Sequence, residues 1–216
     1  MPIPTRLLAE FSEENYYHVI CKCIEGKKFF YNDGNRFRFL KRYDDLLNDF
    51  ADTYAYTLMD NHVHWLIKTK SEEDIRAHLR TIKSTRTQKS FLDDNCSFHE
   101  LLEQQFNRLF ISYSLSLNKS RNTTGHLFSR PFKRIDIADD FHLTQLIIYI
   151  HANIKRHQIS DNFQQYKWSS YRAILSQTTT HIKRKEVLEW FGGEERFVSL
   201  HETQADFYYP SILSGE

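Results

Sequence analysis

A chain of 216 residues, 40% hydrophobic and 26% charged with only 6 Gly and 4 Pro, can bury a full core and does not have the make-up of a disordered segment. Its longest apolar run, Leu146 to Ile150, is far too short to span a bilayer, so no membrane partner is expected. A net charge of +1 by itself argues for no particular partner.

The N-terminal stretch MPIPTRLLAEFSEEN has no basic segment ahead of an apolar one, so no secretory signal is expected. The cysteines Cys21, Cys23 and Cys96 cannot all pair with one another. A cytoplasmic chain with reduced thiols is therefore expected, with Cys21 and Cys23 acting as small buried hydrophobes.

In chain order, Tyr16 to Ile24 is rich in β-formers and predicts a first strand, and YNDGNRF predicts a turn. Arg36 to Phe50 carries apolar residues at helical spacing. Thr53 to Met59 and His62 to Thr69 predict two strands joined by a tight hairpin at Asp60-Asn61. Ser71 caps a helix to Lys83, and the Ser97-x-x-Glu100 capping box opens another to about residue 118. Phe132 to Ala138 predicts a strand. Asp139 or Asp140 then caps a helix to about His157, and a short helix is expected near Glu186 to Phe191. This order predicts an α+β fold, a ferredoxin-like antiparallel sheet with helices on one side. Residues 1–175 would form the domain and 176–216 a partly helical extension.

Charge is unevenly placed. Arg76, Arg80, Lys83, Arg86 and Lys89 lie in an acid-free tract, as do Arg108, Lys119, Arg121, Arg130, Lys133 and Arg134. Two such tracts suggest a positive surface for a phosphate backbone, although flanking acids could equally pair with them. Arg76, Arg80, Lys83, Arg130, Lys133 and Arg134 are the candidate DNA-binding residues.

The run DNHVHWLI places His62 and His64 on one strand face, with Val63 towards the core. Two such imidazoles suit a divalent metal if a third ligand arrives from elsewhere, and a solvent-facing strand would also carry them. The helix DDFHLTQLIIYIHANIKRH offers an apolar stripe at Leu143, Leu146, Ile147, Ile150 and Ile154. About 120° away, by helical geometry, lie His142, Gln145, Tyr149, Asn153 and Arg156. Tyr149 and Asn153, one turn apart, are neighbours. On this reading Tyr149 lies off the core, and the two histidines face away from it.

Three motifs in order, YTLMDNHVHWLI, GHLFSRPFKRIDI and YIHANIKRH followed by YKWSSY, resemble the REP-associated tyrosine transposases. These belong to the single-tyrosine HUH transposases of insertion sequences, HUH denoting His, hydrophobic residue, His. Asp60 stands where the family typically has a proline, adding a negative charge near the phosphate site, and Ile154 replaces the last proline of Y-I-H-x-N-P. The resemblance implies an HUH endonuclease fold. It implies metal ligands at His62, His64 and Asn153, Mg²⁺ or Mn²⁺ as the ion, and Tyr149 as nucleophile. The substrate would be single-stranded or hairpin DNA, cut and rejoined through a 5′-phosphotyrosine, and a homodimer is compatible. Two other readings stay open: a hairpin-binding protein of the same fold without strand transfer, and a metal-dependent phosphoesterase that uses water. Tyr113 and Trp65, Trp168 and Trp190 are expected to be packing residues.

Overall fold

The computed structural model describes residues 7–129, 131–137 and 140–205. Arg130, Ala138 and Asp139, each given a part above, lie outside the described residues. Four strands, β1 (Tyr16–Lys22), β2 (Ala51–Leu58), β3 (His62–Thr69) and β4 (Lys133–Asp136), form one sheet in the order β2-β3-β1-β4. All neighbouring strands are antiparallel, as a ferredoxin-like α+β fold requires. The β2–β3 hairpin closes where Met59 N–H donates to His62 O at 2.9 Å, and Asp60 and Asn61 are its turn.

Alternation along the strands divides the core in two. Tyr17, Val19 and Cys21 of β1 and Val63, Trp65 and Ile67 of β3 point to one face. There they meet α1 (Asp33–Leu47), α2 (Glu72–Thr81), α3 (Arg86–Leu92) and α4 (Phe98–Arg121). Phe39, Tyr43 and Leu47, spaced by four, form the buried stripe of α1, and Trp65 stacks on the rings of Phe39 and Tyr43. The Ser97–Glu100 capping box opens α4 as expected. Tyr113 of α4 is buried and donates to Phe29 O at 2.6 Å. The predicted turn at residues 31–37 is instead the start of α1. Asn32, in extended conformation, accepts from Asn35 N–H and so nucleates the helix earlier than its apolar spacing shows.

The opposite face carries α5 (Asp140–Arg156), α6 (Tyr171–Leu175), α7 (Arg184–Phe191) and α8 (Glu194–Gln204). The α+β antiparallel sheet stands, with helices on both faces rather than on one. The reason lies in α5, whose residues from Leu146 to Ile154 are all at most 1% exposed. Its sheet side packs on Ile20, Ala55 and Leu66, and its outer side is covered by Val187, Phe191 and Phe197 of α7 and α8. A helix buried on both sides needs a second layer, and residues 184–204 supply it.

A one-way chain of hydrogen bonds pins that layer. His201 Nδ1–H donates to Phe197 O at 2.7 Å, which leaves its Nε2 to accept from His151 Nδ1–H at 2.8 Å. His151 Nε2 in turn accepts from the Ser170 hydroxyl at 2.7 Å, and Ser170 Oγ accepts from Tyr56 N–H. Both imidazoles are fully buried and neutral. Burial first, then the neighbouring ring, pushes His151 well below the usual histidine range, and burial pushes His201 down to about 4. Above the ordinary histidine value of about 6.5 folded and unfolded chains are both neutral here. Below it the unfolded chain takes up protons that the fold refuses. Stability is therefore expected to fall between pH 6.5 and about 4, by about 3 kcal/mol from His201 alone. Melting temperatures measured across that window check this, and a flat profile would refute it.

Both edges of the sheet are partly taken. Along β2, Leu58 N–H donates to Trp168 O, Ser170 N–H to Tyr56 O and Lys183 N–H to Thr53 O. Along β4, Ala9 N–H donates to Arg134 O at 3.0 Å, and Leu8 pairs with Arg134. The YKWSSY stretch thus covers an edge strand. Among the described residues no helix is long and apolar enough to cross a membrane.

Candidate metal and nucleophile site

β3 sends His62 and His64 to the face that α5 covers, beside Leu66. The two histidines are therefore not solvent-facing: His62 is 4% and His64 0% exposed. Nor does Tyr149 lie off the core, being 0% exposed with its ring edge-on to His64 at 5.8 Å and to His18 at 5.9 Å. The apolar stripe marked only one of the two sides on which α5 is buried.

The tautomers at the pair are set from behind. His62 Nδ1–H donates to Asn61 Oδ1 at 2.7 Å, which leaves Nε2 with its lone pair inward. The Asn153 amide donates to His64 Nε2 at 3.0 Å, and His64 Nδ1–H then donates to His18 Nε2 at 2.9 Å. His64 is held well below the usual histidine range, chiefly by burial and further by His18, His62, Lys22 and His157 around it. A neutral imidazole is the form that ligates a metal.

Among the described residues no three His, Cys, Asp or Glu side chains converge as a metal-holding group, so the third donor rests on an amide. The structure supplies one. Asn153 Oδ1 is buried without a hydrogen-bond partner, and turning the amide over puts that oxygen where Nδ2 now lies, 3.0 Å from His64 Nε2. Adjacent donors on an ion with bonds of about 2.1 Å sit about 3 Å apart. His64 and Asn153 can therefore share a divalent ion of mixed nitrogen and oxygen preference, such as Mg²⁺ or Mn²⁺, and the His62 ring stands beside them with its centroid 5.2 Å from that of His64.

The charge that Asp60 adds is neutralised locally. Its carboxylate is paired with the Arg36 guanidinium and with Lys28 Nζ at 2.9 Å. Arg36 is itself held over the rings of Phe30 and Trp168. Ile154 is buried in the second core.

The basic residues scatter over both layers. Lys133 pairs in register with Ile20 and so shares the histidine face, as does Lys22, which is paired with His62. Arg156 lies over the Tyr149 ring at 5.2 Å. Arg80 and Lys83 are exposed at the end of α2, in the layer beyond the sheet. Arg76 pairs with Glu72 and Asp94 and donates to Phe91 O, while Arg134 is buried against Glu103 and donates to Ala9 O. Neither gathers at the histidines. The sequence reading missed His18, Lys22 and His157. All three were open to view, the first two as alternate residues of β1 and the last four residues after Asn153.

The protein-family model described as transposase, IS200-like, matches residues 12–124. The chain belongs to the IS200-like transposase family. The matched span contains both histidines of the HUH motif, and α5 of this transposase-family chain, with Tyr149 and Asn153, follows it. No curated protein matches the chain. A solved structure of a REP-associated tyrosine transposase bound to a REP hairpin is similar with a TM-score of 0.55. That likeness covers 78% of this chain and 84% of the other at 8% identity, and is one of fold.

Proposed function

We propose that this transposase-family protein cleaves and rejoins single-stranded or hairpin DNA, with Tyr149 as the nucleophile and His62, His64 and Asn153 holding a divalent ion. The observation that carries the reading is the seating of Tyr149 and Asn153, on successive turns of α5, directly against His64. When bound, Mg²⁺ or Mn²⁺ supplies charge neutralisation and polarisation at the scissile phosphate. The chain's own groups do the rest. Asn61 and His18 fix the ring orientations of His62 and His64. Lys22, Lys133 and Arg156 supply positive charge around them. The Tyr149 oxygen forms a bond to phosphorus as the bond to the 3′ oxygen breaks. The phenol gives up one proton and the 3′ oxygen gains one. One ester replaces another, so a different 3′-hydroxyl can reverse the step and transfer the strand.

A second reading, binding of a DNA hairpin without strand transfer, is favoured by one observation: Tyr149 is 0% exposed and must be uncovered before it can attack. Covalent capture separates the two. Incubation with single-stranded hairpin DNA and Mg²⁺ or Mn²⁺ should give a denaturation-resistant protein–DNA adduct. DNA binding with no adduct under any condition would favour the second reading.

Binding should be electrostatic in either case. If Lys22, Lys133 and Arg156 neutralise about three phosphates of single-stranded DNA, log K should fall against log salt with a slope near about −2. The slope is read from titrations at several salt concentrations, and a salt-independent affinity would remove these residues from the interface.

A further inference from the structure

On the side of the sheet opposite the histidines, α1, the edge strand β2 and residues 180–182 enclose a cavity of about 380 Å³. From α1 and its C-cap, Phe37, Leu40, Asp44 and Asn48 line it, and from the sheet Thr53, Tyr56 and Trp65. A β-bulge makes this lining possible. Residues three apart in a regular strand point to opposite faces, yet Thr53 pairs with Ile67 and Tyr56 with Trp65, both on the α1 side. The register shift between Thr53 and Ala55 absorbs one residue: Tyr54 and Ala55 both enter the other core, and Tyr56 returns to the cavity.

Two polar groups on this lining lack partners. Trp65 is 0% exposed, and its indole Nε1–H has no hydrogen-bond partner, a costly state for a buried donor. Among the described residues the half-buried Tyr56 hydroxyl has none either. Burial pushes that phenol up to about 12, so near neutral pH it keeps its proton and can donate. Tyr43, by contrast, is satisfied by Thr53 Oγ1 at 2.7 Å. At the mouth His181 Nδ1 lies 2.9 Å from Asp44 Oδ1, which leaves the other carboxylate oxygen to accept.

We propose that this cavity binds a nucleobase, either of a free nucleoside or of an unpaired residue in a DNA strand. The two unpartnered donors call for a ligand with acceptors, and Asp44 and the Asn48 amide call for N–H donors on the same ligand. A nucleobase carries both around a flat ring, whose faces suit the apolar and aromatic walls. Phe37, 66% exposed at the mouth, adds a ring for stacking. The mouth does not suit a phosphate, since Lys41 is tied to Asp45 at 3.0 Å and Asp44 is an acid. Sugar and phosphate therefore stay outside. The site lies across the sheet from His64 and Tyr149, so its occupancy is independent of the metal and of the nucleophile.

The test follows the indole N–H signals of the 3 tryptophans in proton–nitrogen correlation spectra of the full-length protein. Trp168→Phe and Trp190→Phe assign the Trp65 signal by elimination. Deoxyguanosine, deoxyadenosine, deoxycytidine and thymidine are titrated singly, without metal, beside a DNA hairpin with one unpaired base and a fully paired control. At least one nucleoside is expected to move the Trp65 signal saturably. Tyr56→Phe and Asp44→Asn, with circular dichroism matching wild type, should each weaken that binding by about 3- to 10-fold. Movement by the unpaired-base hairpin, but by no nucleoside and not by the control, would support the proposal with DNA as the source of the base. A Trp65 signal that none of these ligands moves would overturn it. So would binding that both variants leave unchanged, since the base would then sit elsewhere.

Discussion

Tyr149→Phe is expected to abolish the covalent DNA adduct and to lower strand cleavage by at least about 10³-fold, the scale on which removal of a nucleophile acts. Among the described residues no other tyrosine is as well placed. Tyr113 is buried beyond the sheet and donates to Phe29 O, and Tyr54 donates to Glu186 at 2.6 Å. Phe keeps the buried ring that packs against His18 and His64, so the fold should persist at a cost of about 1 kcal/mol for the lost hydroxyl. DNA affinity should be nearly unchanged, because the basic groups around the histidines are untouched. Peptide mapping of the trapped wild-type adduct gives the direct check. A phosphotyrosyl bond at another residue, or a normal adduct yield from Tyr149→Phe, would show the assignment to be wrong.

Loss of either histidine should have a comparable effect on cleavage and a different one on stability. His62→Ala and His64→Ala are each expected to remove metal-dependent cleavage. His64→Ala also strips buried His18 and Asn153 of a partner and leaves a cavity, so it should destabilise the fold by about 2–3 kcal/mol. His62 is less enclosed and its loss should cost less. The two effects are separated by measuring melting temperature and Mn²⁺ affinity on the same preparations. Cleavage by the folded double variant in the presence of a chelator would refute the site.

Much of this was legible in the sequence. The strands stood out because β-branched and aromatic residues alternate with the rest, and Asp60-Asn61 marks a hairpin between two such runs. Ser71 and Ser97 announce α2 and α4 because a capping serine leaves a local pattern. α3 and α8 escaped for the opposite reason. The sequences RTQKSFL and EERFVSLHETQ are polar and short, and each is held by one or two tertiary anchors: Phe91 and Gln88 in the first, Phe197 and His201 in the second. Burial of α5 on two sides was also hidden. The polar residues outside its apolar stripe, Tyr149 and Asn153 towards the sheet and His151 towards α8, are buried with partners that lie far away in sequence. Counting charges along the chain failed at Arg76 and Arg134 for the same cause. Arg76 finds Asp94 and Arg134 finds Glu103, acids outside their own tracts.

The covered sheet edges bear on how copies of this protein can assemble. Extending a sheet across a two-fold axis requires a strand whose outward N–H and C=O groups are unclaimed. On β2 residues 168–170 and Lys183 already claim several of them, and on β4 the segment at Leu8 and Ala9 does so. A second copy could add its strand at either margin only by first peeling away one of these segments. Pairing between copies through helix surfaces, or through a shared DNA strand, meets no such barrier.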